Sequence, residues 1–136
     1  MKKSMAALLM TILLLLSGCS LLEEATDSFD YATEATEYIN NLSEFAEEAS
    51  SLEADQLVAR LEDLTGTIEN FTKIEPPTIA ENIHQELAYK SEALLEIINN
   101  IINQGEITVE QLQETEIYQT IENIISLKVQ IEQLEL

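Results

Sequence analysis

After residue 21 the apolar positions recur at steps of three and four almost to the end of the chain, the period of an α-helix. The first series is Leu22, Ala25, Phe29, Ala32, Ala35, Ile39, Leu42, Ala46 and Ala49. The second is Leu57, Leu61, Leu64, Ile68 and Phe71, and the third is Ala80, Ile83, Leu87, Leu94, Ile97/Ile98 and Ile101. The last is Ile117, Ile121, Ile124, Leu127, Ile131 and Leu134. A strand's alternation of period two is nowhere sustained. The pattern predicts four helices over 21–49, 52–73, 79–103 and 109–135, the last broken near Glu114-Thr115. Long amphipathic helices with short connections favour antiparallel neighbours, so the expected fold is all-α, an up-down four-helix bundle.

Punctuation supports these spans. Ser50-x-x-Glu53, Thr78-x-x-Glu81 and Thr108-x-x-Gln111 fit the capping box, in which a hydroxyl and a reaching side chain satisfy free backbone N–H groups. Pro76-Pro77 must stop any helix arriving from Phe71. Gly105 stands where a left-handed C-cap is expected. Ile107 and Leu112 flank Thr108 as a hydrophobic staple. Gly66 costs its helix about 1 kcal/mol relative to alanine, which leaves room for a break inside the span 52–73.

Residues 1–20, MKKSMAALLMTILLLLSGCS, follow another logic. Lys2 and Lys3 precede an apolar run from Met5 to Leu16, followed by small residues, the layout of a secretory signal. The run of 12 residues falls short of the roughly 20 a bilayer-spanning helix needs. Leu16-Ser17-Gly18-Cys19 resembles the lipobox of bacterial lipoproteins. The resemblance implies cleavage between Gly18 and Cys19, a diacylglycerol on the Cys19 thiol, and a lipid-anchored protein on the extracytoplasmic face of the cell membrane. The expected organisation is a signal peptide over 1–18 and one acidic helical domain over 19–136. Cys19 is the only cysteine, so no intrachain disulfide can form. Burial of apolar surface must hold the fold.

Charge narrows the partners. All 26 acids lie after Gly18 but only four of the six bases do (Arg60, Lys73, Lys90 and Lys128), which leaves that part of the chain at −22. Phosphates would be repelled, which argues against nucleic acid and against docking on anionic lipid by charge. A diacylglycerol supplies two acyl chains, enough for stable anchoring.

Three features could carry chemistry. Glu23, Asp27, Asp30, Glu34, Glu37, Glu44 and Glu48, with Asn41 in the gap, share one face of the first helix. They would form a docking face for a basic envelope protein or a diffuse site for divalent cations such as calcium, or simply a solvated outer face. No EF-hand loop is present. His84 is the only histidine; with Glu81 or Glu86 it could make an acid–base pair, but a packed position beside Ile83 and Leu87 accounts for it as well. There is no nucleophile motif, phosphate loop or zinc signature, so neither an enzyme nor a cofactor is expected. Glu69–Lys73 and Glu86–Lys90 have the spacing of helical surface ion pairs.

Ile74-Glu75-Pro76-Pro77-Thr78, leading into Ile83-His84-Gln85-Glu86-Leu87, resembles a pattern in an uncharacterised family of small helical lipoproteins of Gram-positive bacilli. Asp30-Tyr31 through Glu37-Tyr38-Ile39-Asn40 is similar to that family's first helix. The resemblance implies a helical surface lipoprotein and lends no catalytic residues. The expected function is non-enzymatic binding or scaffolding at the cell envelope. The alternative is a small solute- or cation-binding lipoprotein using an intra-bundle pocket or the acidic face.

Overall fold

The computed structural model describes the backbone of residues 2–135 except Glu106, and the side chains of residues 22–134 with the same exception. Gly18 and Cys19, the expected cleavage and lipidation positions, lie outside the described side chains. Among the described residues every regular element is helical. The elements are α1 (Lys2–Glu48), α2 (Ala54–Thr72), α3 (Glu81–Asn103), α4 (Val109–Gln113), α5 (Ile117–Ile125) and α6 (Lys128–Glu132), with single 3₁₀ turns at Ala49–Ser51, Thr78–Ala80 and Gln133–Glu135. Among the described residues no helix is long and apolar enough to cross a membrane.

Local chemistry explains most boundaries. α2 starts after Glu53, whose backbone N–H donates to Gln56 Oε1 at 3.1 Å, so the box sits three residues later than Ser50-x-x-Glu53 predicts. Thr78 does not cap; Pro77 leads into the 3₁₀ turn, and α3 follows from Ala80. Thr108 does cap: its Oγ1 accepts from Gln111 N–H at 3.2 Å, and Gln111 Oε1 accepts from Thr108 N–H at 3.0 Å. The staple residues Ile107 and Leu112 are both buried. Gly105 has φ +94°, the left-handed turn that ends α3, where a side chain would be strained. α2 runs through Gly66 without a break. The fourth predicted helix is interrupted twice, at residues 114–116 as expected and again at Ser126-Leu127.

α1 packs beside α2 on one side and α5 and α6 on the other, while α3 packs beside α2 and α5. α1 and α2 run antiparallel, because Arg60 meets Asn41 whereas Phe71, later in α2, meets Tyr38, earlier in α1. α1 and α3 run the same way across the core: Tyr31 reaches His84, and seven residues on, Tyr38 reaches Ser91.

The core contains Leu57, Leu61, Leu64, Ile68 and Phe71 of α2, and Ile117, Ile121, Ile124, Leu127 and Ile131 of the fourth stripe, as their spacing predicts. α1 departs from its predicted stripe at the start. Leu22 is 72% exposed, Phe29 is 56% exposed and Ala25 is also exposed. These residues do carry the apolar period, but burial needs a partner helix beside them, and close packing begins around Ser28 and Tyr31. Tyr31, Tyr38 and Phe45 fill the core positions that the predicted stripe of α1 omits.

Candidate functional site

α1 presents Tyr31, Tyr38 and Phe45 at seven-residue intervals, two turns apart, on the edge of its core face that borders α2. The two tyrosines lead into a buried polar network. Tyr31 Oη lies 3.1 Å from His84 Nδ1, and Tyr38 Oη lies 2.6 Å from Ser91 Oγ. Tyr38 stacks on Phe71 with centroids 4.2 Å apart and planes within 4°. His84 completes the cluster, edge-on to Tyr31 and tilted against Phe71.

Burial sets the protonation states. It pushes His84 below the ordinary imidazole value, so the ring is held neutral, with Nδ1 suited to accept the Tyr31 hydroxyl. Burial raises Tyr31 strongly and pushes Tyr38 up to about 12, although the Ser91 hydrogen bond works the other way. This network is a satisfied core element. Among the described buried side chains, Thr36 Oγ1 alone lacks a hydrogen-bond partner.

The acidic residues stand on the neighbouring flank of α1, the one turned toward α2. Glu23, Asp27, Asp30, Glu34, Glu37 and Glu44 are exposed, and Glu48 is half-buried. They do not form one uniform face. Asp27, Asp30, Glu34 and Glu37 rim an open groove that runs along the α1–α2 seam and past Pro76-Pro77. Glu23 lines its lower end with Asp27 and the two prolines, whereas Glu44 stands outside it. Near the upper end Glu48 pairs with Arg60. One bay of this groove, about 380 Å³, lies between Glu34, Glu37 and Asn41 on α1 and Thr67 and Asn70 on α2, with Tyr38 and Phe71 below.

None of the groove's carboxylates has a basic partner among the described residues. Arg60 bonds Glu48, Asp63 and Asn41; Lys73 faces Glu69 at 3.9 Å; Lys90 faces Glu86 at 3.7 Å; Lys128 donates to Asn40 Oδ1 at 3.0 Å. The two i,i+4 pairs stand where their spacing places them. Among the described residues no three His, Cys, Asp or Glu side chains converge as metal ligands. His84 packs with Tyr31 and Phe71 rather than forming an acid–base pair with Glu81 or Glu86.

Sequence reading misses three parts of this arrangement. Tyr31 and Tyr38 look scattered until their seven-residue spacing is extended to Phe45. Ser91 fills the gap between Leu87 and Leu94, a polar residue at a core register position that implies a buried partner. The insertion of Arg60 into the seam has no local sequence signal.

Comparison with characterised proteins and with solved structures finds no match. The profile of one family covers residues 31–134, beginning at the first of the buried aromatic residues and spanning the whole packed core. The chain therefore belongs to a family of unknown function, DUF6376.

Proposed function

We propose that the protein is a lipid-anchored lipoprotein of the extracytoplasmic membrane face, of the kind found in Gram-positive bacilli. Its domain over 19–136, an up-down four-helix bundle, acts as a non-enzymatic binding or scaffolding module. Leu16-Ser17-Gly18-Cys19 supports the anchor, with Cys19 as the lipidated residue after cleavage at Gly18. The single observation that carries the binding role is the self-sufficiency of the interior. Tyr31 with His84 and Tyr38 with Ser91 satisfy one another in an otherwise apolar core, while the concavities along the α1–α2 seam are open to the surface. An interior of this kind has little to offer a small polar solute, and recognition falls to the outside.

Cys19→Ala tests the anchor. The variant is expected to lose lipidation and to appear unprocessed or shed; a processed species that still fractionates with membranes would refute it. Cross-linking in native membranes, followed by affinity capture, tests the binding role. A reproducible envelope partner is expected, and recovery of the protein alone would count against the role.

A further inference from the structure

The α1–α2 seam carries its own example of how it holds a cation. Arg60 extends from α2 into the seam, its side chain only 19% exposed. Its Nε donates to Glu48, and Nη2 donates to Asn41 Oδ1 at 3.2 Å. The second terminal nitrogen donates to Asp63 at 3.2 Å, and Cζ lies 6.0 Å from the centre of the Phe45 ring. A seat over an aromatic ring, with two acids and an amide to accept its N–H groups, is a favourable site for a guanidinium.

One heptad lower the same helix positions recur without the cation, with the aromatic ring stacked on Phe71. Moving seven residues back along α1 replaces Phe45 by Tyr38, Glu48 by Asn41 and Asn41 by Glu34. Moving seven forward along the antiparallel α2 replaces Asp63 by Asn70 and Arg60 by Thr67. Thr67 is too short to cross the seam, and its hydroxyl is turned back to the Asp63 carbonyl at 3.1 Å. The groove opens there, lined by these substituted residues together with Glu37. A further heptad down α1, Tyr31 and Asp27 take the corresponding places, and Asp30 with Ile74 and Pro76 of the segment that follows α2 completes a second bay.

We propose that the bay between Tyr38 and Thr67 receives a guanidinium or ammonium group from a basic protein segment, seated in the seam as Arg60 is one heptad above. The lower bay at Asp27 and Asp30 receives a second. Seven residues of helix span about 10.5 Å, so the two cations stand about that far apart. A partner meets this spacing with bases at i and i+7 of a helix, or at i and i+3 of an extended strand. The four bases with described side chains are engaged elsewhere, and the proposed cleavage at Gly18 removes Lys2 and Lys3, so the positive charge must come from outside. The proposal rests on the reading of the domain as a surface-acting binding module and assigns that reading a site and a partner chemistry.

The test uses the full chain in neutral detergent micelles and two fluorescent alanine-rich helical peptides of equal charge. One carries arginines seven residues apart, the other on adjacent positions. In low-salt anisotropy titrations the first is expected to bind about tenfold more tightly, the equivalent of one charge-assisted hydrogen bond. Glu34→Gln with Glu37→Gln is expected to erase that preference. Thr67→Arg, which supplies the cation internally, is expected to block binding while the circular dichroism stays unchanged. Glu92→Gln with Glu96→Gln removes two exposed charges from α3 and should leave the preference in place. Equal binding of the two peptides, or equal losses from the α1 and α3 pairs, would reduce the effect to diffuse attraction and overturn the proposal. If Thr67→Arg still captures the envelope partner of the native protein, the seam proposal falls and the binding role stands. If the native protein captures none, the binding role itself falls.

Discussion

The two pairs of helices that face each other across the core are built from different chemistry. α2 and α5 meet the interior with Leu57, Leu61, Leu64, Ile68, Ile117, Ile121 and Ile124, a surface that is aliphatic apart from Phe71 and holds no buried polar side chain. α1 and α3 meet it with the same kind of residue interrupted by Tyr31, Tyr38, His84 and Ser91. Aliphatic contacts are non-directional and tolerate small sliding of one helix along another. The Tyr31–His84 and Tyr38–Ser91 hydrogen bonds do not, because each partner must stay within reach of the other. A shift of α3 by one turn would break both bonds and leave the Tyr31 and Tyr38 hydroxyls and the His84 imidazole unpaired, at about 1–3 kcal/mol for each group. Apolar burial on both pairs holds the domain together, and the hydrogen bonds of the polar pair also fix the register of its two parallel helices.

The sharpest way to break this contrast is to put charge into the aliphatic pair. Leu64 and Ile121 are fully buried, and an aspartate at either position would have to ionise among aliphatic side chains with no partner. Leu64→Asp and Ile121→Asp are each expected to unfold or loosen the domain, seen as lost cooperativity in thermal melts followed by circular dichroism. Leu64→Ala is the graded version, expected to cost about 2–5 kcal/mol through lost transfer energy and the cavity left behind. Native-like melts for both aspartate variants would show that the aliphatic pair is not where stability resides.

The polar pair should respond differently, with an asymmetry between its members. Ser91→Ala leaves the Tyr38 hydroxyl buried and unpaired, at an expected cost of about 1–3 kcal/mol. Tyr38→Phe is expected to cost less, because the Ser91 hydroxyl sits in a helix and can turn to the carbonyl four residues back. The double variant should be milder than the two single costs added, since neither partner is then left unpaired. Chemical denaturation of the four proteins measures the coupling; strict additivity would mean that the hydrogen bond contributes nothing.

The pH dependence of stability separates the two pairs without changing any aliphatic residue. Burial depresses His84 in the folded state, so the unfolded chain binds a proton first as pH falls. The His84 contribution is therefore complete above the ordinary histidine value of 6.5 and is lost as pH drops below it toward the folded value. Tyr38 and Tyr31 act at the other end. Their folded values are raised, so their contribution is complete below 10.0 and is lost as pH climbs through about 12 and beyond. His84→Gln should flatten the acid slope near pH 6 and leave the alkaline one. Leu64→Ala should lower the whole curve without altering its shape. An acid slope near pH 6 that persists in His84→Gln would assign it to other groups.

How far the sequence reveals this molecule follows from the same contrast. Every position of the predicted α2 stripe, Leu57 to Phe71, is found buried, because a single apolar stripe with steady steps of four and three has only one way to face a core. α1 is read less well at both the start and the middle. Leu22, Ala25 and Phe29 continue its apolar period, yet the period records which face is apolar and not whether another helix lies beside it. Tyr31 and Tyr38 count as polar by residue type, while their partners lie 53 residues further along the chain, so the burial of their rings is decided by tertiary pairing. Arg60 is missed for the same reason: its acid and amide partners belong to a different helix. The acidic stripe is legible as a list of residues. Its division into a paired upper end at Glu48 and an unpaired groove below depends on Arg60 and Thr67, which lie on α2.

That division sets the smallest expected effect. Asp27, Asp30, Glu34 and Glu37 follow one another at steps of three and four, where like charges on a helix cost a few tenths of a kcal/mol per pair. Asp27→Asn, Asp30→Asn, Glu34→Gln and Glu37→Gln together should leave the fold intact and raise its stability slightly, with the gain shrinking as salt screens the native repulsion. Glu48→Gln belongs to the same stripe and should have the opposite sign, because Arg60 would lose its closest acid while remaining four-fifths buried in the seam. Urea denaturation at low and high ionic strength measures both. Equal and like-signed shifts from the groove carboxylates and from Glu48 would mean that the stripe is one uniform solvated face. Opposite signs would place the boundary between its paired and unpaired ends at the turn of α1 that carries Asn41 and Glu44.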